Sequence, residues 1–95
     1  MHPTLIQRVV SVTPELIARG IRQDSAGCPV ALALRQVYPD ATSGPLATSF
    51  PIEGAWVWLH HSPAVRQWIA AFDMGGTPPP IDIAIDLENR RLWIA

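Results

Sequence analysis

The sequence predicts an α+β fold, a two-layer sandwich of three helices on an antiparallel or mixed sheet in the order β-α-α-β-β-α-β-β. Proline at the first position of three apolar segments is typical of helix starts. The remaining apolar segments are β-branched or alternate with polar residues, as strands do. The 95 residues, 48% of them hydrophobic, are enough for one folded domain covering residues 1–95, and they exclude a disordered chain.

The first half of the chain predicts one strand, two helices and a loop. Residues 5–12 are rich in isoleucine and valine, which favour a strand. A helix is expected over residues 14–23, after the capping residue Thr13, and a second over residues 29–37. Residues 40–46 contain glycine, proline, serine and threonine, and predict a loop.

The middle of the chain predicts a β-hairpin. Residues 48–52 and 55–61 are two strands joined by a tight turn at Glu53-Gly54. Pro51 cannot donate to a neighbouring strand, so the first of these strands is expected at an edge of the sheet. The second strand alternates, which places Trp56 on one face and Val57 on the other.

The last part of the chain predicts a helix and two strands. Ser62-Pro63 repeats the cap-then-proline pattern and opens an amphipathic helix that ends before Gly75. Residues 81–88 alternate between apolar and mostly acidic side chains, and residues 92–95 form a final strand. The acidic side chains are expected on a solvated face.

The candidate binding surface is an aromatic set on the second hairpin strand. Trp56, Trp58 and His60 share one face of that strand, and Trp93 on the last strand is a further candidate. One interpretation is that these tryptophans cover a second side of the core. The other is that helices cover the opposite face and leave the tryptophans as a surface for a protein partner or for self-association.

The charges disfavour nucleic acid as a partner. The net charge is −1, lysine is absent, and the seven arginines are scattered along the chain. A nucleic-acid interface usually needs a basic stripe. A nucleic-acid partner would have to contact a local arginine cluster instead of a basic stripe. The alternative hypothesis is a small nucleic-acid-binding regulator that uses Arg19, Arg22 and Arg35 on the paired helices.

The sequence carries no catalytic motif, and we expect neither an enzyme nor a cofactor. The lone Cys28 excludes an intrachain disulfide; it is either a reactive thiol at a helix start or a small apolar residue of the core. His60 and His61 point to opposite faces of a strand, so no metal site is expected. Because no signal-peptide pattern or membrane-spanning run occurs, we expect a cytoplasmic protein.

Three segments carry a resemblance to a known group of proteins: Val12–Gly20 (VTPELIARG), Cys28–Leu34 (CPVALAL) and Val65–Asp73 (VRQWIAAFD). They resemble small proteins of high-GC, actinobacterial-type bacteria and their phages, a family without an assigned activity. The resemblance implies a phage or mobile-element origin and no catalytic residues. It favours an inhibitor or modulator of a larger host complex, such as an anti-CRISPR-like anti-defence protein.

Overall fold

A computed structural model describes residues 8–95, so the beginning of the predicted first strand, residues 5–7, lies outside the described residues. The α+β class with three helices is confirmed, and the order differs from the prediction by one short strand within the expected loop. The helices are α1 (Pro14–Arg19), α2 (Pro29–Arg35) and α3 (Pro63–Asp73). The strands are β1 (Arg8–Val12), β2 (Thr42–Ser43), β3 (Ala47–Ile52), β4 (Ala55–His61), β5 (Ile81–Asp86) and β6 (Arg91–Ile94).

All three helices begin in the way that the sequence predicts. The side chains of Thr13, Cys28 and Ser62 accept the backbone N–H three residues further on, at 3.3, 3.4 and 3.3 Å respectively. A proline follows each of them at the first helical position, where its missing N–H leaves no helical hydrogen bond unmade. The sulfur of Cys28 thus takes the capping role that hydroxyl oxygens have in the other two helices.

Helix α1 ends at Arg19, four residues before the end that the sequence predicts. Gly20 has extended backbone angles, and a Cβ atom built on it would lie 2.5 Å from Cγ of Pro29. The N–H of Ile21 donates to the carbonyl of Gly27 at 2.8 Å instead of continuing the helix. Ile21 therefore lies outside the helix, and 55% of this residue is exposed.

The six strands form one mixed sheet in the order β1-β5-β6-β4-β3-β2. Neighbouring strands are antiparallel except for β4 and β6, which are parallel and share two residue pairs, His60 with Arg91 and His61 with Leu92. The β3–β4 turn has positive φ at Glu53 (50°) and at Gly54 (85°). These values match a type I′ turn, and they confirm the predicted hairpin.

The edge position predicted for Pro51 holds locally, although β3 is not the last strand of the sheet. Strand β2 pairs only with Thr48 and Ser49 of β3. Among the described residues, no strand therefore pairs with the outer side of β3 at Pro51. A proline is tolerated there because no ladder hydrogen bond requires its N–H.

The helices pack on one face of the sheet and form a single core with it. The sheet contributes fully buried apolar side chains from five of its strands, and the helices contribute the complementary surface. Buried residues of this core include Phe50, Leu59, Ile83, Ile85 and Leu92 from the sheet, and Val30, Leu34, Val65, Ile69 and Phe72 from the helices. No helix of the described chain packs on the other side of the sheet, which we call the open face.

Candidate functional site

Strand β4 separates its side chains sharply between the two faces. Leu59 and His61 are buried under the helices, whereas Trp56 and Trp58 are 56% and 57% exposed. His60 is exposed as well. The structure therefore places Trp56, Trp58 and His60 together on the open face, and we call these three residues the aromatic stripe. Of the two interpretations of the tryptophans, burial in a second core is wrong for Trp56 and Trp58.

Trp93 shares the open face but lies apart from the other two tryptophans. Its strand β6 pairs with β4 only where β4 ends, with Arg91 opposite His60. Trp58 precedes that pair by two residues and Trp93 follows it by two. At roughly 3.3 Å per residue, Trp93 lies about 13 Å further along the strand direction than Trp58. His60 and Arg91 therefore separate Trp93 from Trp58.

A pocket of about 560 Å³ opens where β4 leaves the sheet. After His61 the chain turns into α3, and β6 continues past that point without β4 beside it. The guanidinium carbon of Arg91 lies 5.8 Å from the ring centroid of Trp93. The lining includes His60, His61, Pro63, Arg91, Leu92 and Trp93.

The acidic side chains on β5 face the same side but are engaged within the fold. The hydroxyl of Ser11 donates to Oδ1 of Asp82 at 2.8 Å. The carboxylate of Asp86 accepts the backbone N–H groups of Glu88 and Asn89 at 3.0 and 3.1 Å and the Asn89 side-chain amide at 2.8 Å. These hydrogen bonds, led by those from Asn89, lower the pKa of Asp86. The acids thus fix the β5–β6 turn and the edge of the sheet.

A buried polar network links residues that no sequence pattern connects. The thiol of Cys28 donates to the carbonyl of Ser43 at 3.6 Å. The hydroxyl of Thr48 donates to the hydroxyl of Ser43 at 3.2 Å and lies 2.7 Å from Nε2 of His61. This network lies under the helices and not on the open face, because β2 and the end of β4 bring Ser43 and His61 to either side of Thr48.

Burial holds both ends of this network neutral. It raises the pKa of the Cys28 thiol, an effect that the N–H groups at the start of α2 oppose only in part. Burial also lowers the pKa of His61 to about 4, and Nδ1 of its ring has no hydrogen-bond partner within residues 8–95. With 3% of Cys28 exposed, the geometry favours the core role of this residue over the reactive one.

The three arginines of the alternative hypothesis differ in what surrounds them. Arg22 donates to two carbonyls at and beyond the end of α3, and its guanidinium carbon lies 4.4 Å from the ring centroid of Phe72. Nε of Arg35 donates to the carbonyl of Ala41 at 2.7 Å, after the far end of α2. Arg19 is exposed at the end of α1. Two of the three side chains therefore hold loops of the chain itself.

The fold and the site define a class: a small α+β domain whose sheet is covered by helices on one face and bears exposed tryptophans on the other. No family model matches the chain, and no curated protein or solved structure matches it significantly. The resemblance to proteins of bacteria and their phages thus stays a prediction.

Membrane-spanning helices and metal-binding clusters are both absent from the described part of the chain. None of the helices between residues 8 and 95 has the length and apolar character needed to cross a membrane. The same residues contain no group of three or more His, Cys, Asp or Glu side chains that could hold a metal ion.

Proposed function

We propose that this chain is a non-enzymatic protein-interaction module that binds its partner through the aromatic stripe. The observation that carries the proposal is the exposure of Trp56 and Trp58, each more than half accessible and on the same face of one strand. Tryptophan is rarely left so exposed unless it serves recognition, and it is among the residues that contribute most to interface affinity.

The charges beside the stripe indicate the chemistry of the partner. His60 lies next to Trp58 on the open face, and Arg91 is opposite His60 on β6. The nearby acids, Asp82 and Asp86, already accept hydrogen bonds from their own chain. A complementary surface therefore presents apolar side chains to the tryptophans and carboxylates to Arg91 and His60. The partner is thus a protein with an apolar patch bordered by acidic residues.

The stripe rests on a rigid support, which favours binding without rearrangement. Trp56 and Trp58 are the second and fourth residues of β4, which pairs with β3 over six residue pairs. The inward neighbour Leu59 is fully buried in the core. Side chains on a paired strand lose little further backbone freedom when a partner docks, which reduces the entropic cost of association.

Position-specific photocrosslinking tests the proposal. A benzoylphenylalanine in place of Trp58 is expected to crosslink one protein, whereas the same group at Gln67, an exposed position of α3 on the helical side, does not. Unlabelled wild-type protein should compete for the crosslink, and the double variant Trp56→Ser, Trp58→Ser should compete at least about tenfold less well. The crosslinked peptide of the partner should contain acidic and apolar residues.

Three results would contradict this proposal. Equal crosslinking from positions 58 and 67 would show that the stripe is not selective. Competition by the double serine variant as strong as that by the wild type would remove the tryptophans from the interface. If the crosslinked product contains two copies of this chain, the stripe mediates self-association and does not bind a different protein.

The narrower function, inhibition of a host defence complex by a phage or mobile-element protein, is supported by the resemblance and by the small size of the domain. Expression of the chain in a CRISPR-defended bacterium is expected to restore plating of a targeted phage. The Trp56→Ser, Trp58→Ser variant, expressed at the same level, should not. Unchanged phage restriction with the wild-type chain across several defence types would reject this narrower function.

A further inference from the structure

We propose that the pocket between the end of β4 and the continuing strand β6 binds a small organic carboxylate with an apolar body. The pocket shares His60 and Arg91 with the surface proposed for the protein partner but lies beyond Trp56 and Trp58, and its ligand is tested on the isolated domain. The proposal rests on the shape of the pocket, on the arginine at its rim, and on the apolar surface beside that arginine.

The shape of the pocket follows from the sheet topology. Parallel pairing between β4 and β6 stops at His61 and Leu92, and Ser62-Pro63 directs the chain away into α3. The space left beside Trp93 measures about 560 Å³. Small-molecule sites usually measure roughly 300 to 1,000 Å³. The pocket is therefore large enough for a ligand of a few carbon atoms joined to a ring.

The cationic group of the pocket is Arg91. Its guanidinium lies beside the ring of Trp93, which restricts the position of the charge. The planar guanidinium presents parallel N–H groups that match the two oxygens of a carboxylate. His60, opposite Arg91 across the strand pair, supplies a second N–H donor at the same rim. These two groups converge on one side of the pocket.

The nearest internal acid does not satisfy Arg91. Asp86 is opposite Arg91 on the other side of β6. Both of its carboxylate oxygens accept hydrogen bonds from Glu88 or Asn89. Besides the hydrogen bonds from Asn89, the charge of Arg91 contributes to the lowered pKa of Asp86, so the two groups attract each other across the strand pair. Within residues 8–95 the carboxylate of Asp86 accepts no hydrogen bond from Arg91, which leaves the guanidinium N–H groups able to bind a further carboxylate.

The apolar residues of the pocket indicate that the ligand carries an apolar group besides its carboxylate. Trp93 and Pro63 present apolar surface to the pocket next to the cation, whereas the side chain of Leu92 belongs to the core. A bare anion would leave this surface in water, whereas a hydrocarbon or aromatic body would cover it. The ligand class is therefore a monocarboxylate with a compact apolar group.

Titration with phenylacetate tests the site, with the indole N–H signals of the protein followed by NMR. The four tryptophans give four such signals, which single Trp→Phe variants assign. We expect a saturable shift of the Trp93 signal and none of the Trp68 signal, because Trp68 is buried and donates to the carbonyl of Pro79 at 2.8 Å. The signals of Trp56 and Trp58 should also stay in place.

Two comparison ligands, measured at constant ionic strength, separate the contribution of the carboxylate charge from that of the apolar ring. Phenylacetamide keeps the ring without the charge, and acetate keeps the charge without the ring. Each should bind at least about tenfold more weakly than phenylacetate. If phenylacetamide binds as tightly as phenylacetate, the pocket does not require a carboxylate. If acetate binds as tightly as phenylacetate, the pocket does not require an apolar group.

Paired arginine variants test the contact itself. Arg91→Gln should weaken phenylacetate binding at least about tenfold, because it removes the charge-assisted hydrogen bonds. Arg19→Gln removes the same charge from the far layer and should leave the affinity unchanged. Unchanged affinity in Arg91→Gln, or no saturable shift of Trp93 in the wild type, overturns the proposal.

Discussion

The two faces of the sheet differ most clearly within β4, where neighbouring residues belong to different environments. Trp58 is 57% exposed on the open face, and Leu59, the next residue, is fully buried beneath the helices. The two histidines that follow repeat the contrast, since His60 is exposed and His61 is buried. One strand thus supports the core with one set of side chains and offers a recognition surface with the other.

Burial changes what the same residue type can do. His61 loses its solvation, stays neutral and hydrogen-bonds Thr48. His60 keeps its imidazole in solvent beside Arg91 and Trp58. Polar groups under the helices therefore hold the fold together, whereas those on the open face are free to meet another molecule.

The largest expected effect on stability comes from truncating a side chain on the covered face of β4. Leu59→Ala should lower the free energy of unfolding by about 2 to 5 kcal/mol, because it leaves a cavity in a closely packed core. Trp58→Ala in the same strand should change it by less than about 1 kcal/mol, since most of this side chain is in water. Urea unfolding measures both. Equal losses would show that the open face is part of the core.

The pH dependence of stability should follow His61. The pKa of His61 is about 4 in the folded protein, below its ordinary value of 6.5. Between these values the unfolded chain binds a proton that the folded chain does not. Stability from neutral His61 is therefore complete above pH 6.5 and is lost as the pH falls toward 4, by up to about 3 kcal/mol.

Substitution of His61 isolates this contribution. Urea unfolding from pH 7 to pH 4 should show a smaller decline in stability for His61→Gln than for the wild type. A parallel profile for His61→Gln would contradict the assignment of the pH dependence to the buried ring.

A smaller effect on the free energy of unfolding should distinguish Arg22, which contacts other parts of the fold, from the exposed Arg19. Arg22→Gln should cost about 1 to 2 kcal/mol, because Arg22 bonds two carbonyls and stacks on Phe72. Arg19→Gln should stay within about 0.5 kcal/mol of the wild type. Thermal or urea unfolding gives both values. Loss of salt-dependent DNA binding in Arg22→Gln without loss of stability would instead support the nucleic-acid hypothesis.

The smallest effect concerns the turn that sets which face the tryptophans occupy. Glu53 has φ of 50°, a conformation that asparagine adopts more readily than glutamate. Glu53→Asn should raise the free energy of unfolding by about 0.5 kcal/mol and leave the exposure of Trp56 unchanged. Glu88→Asn, outside this turn, is the control. A shift in tryptophan fluorescence with Glu53→Asn would show that the turn does not hold the strand register.

Local patterns predicted much of the candidate site. The Glu53-Gly54 turn predicted the hairpin, and the two-residue period of a strand predicted which residues of β4 share a face. The same local logic failed at α1, because its end depends on close packing of Gly20 against Pro29. It also missed β2, whose two residues form a strand only because β3 lies beside them.

By itself, the sequence determined the helix starts, the hairpin and the grouping of Trp56, Trp58 and His60, because these depend on neighbours within a few residues. Only the tertiary structure decided which face of β4 is covered, that Trp93 lies beyond Arg91, and that Cys28 and His61 share one buried network. The short parallel pairing of β4 with β6 decided the position of Trp93 and opened the pocket. Contacts between residues so distant in the chain are set by packing of the whole domain, which no local pattern records.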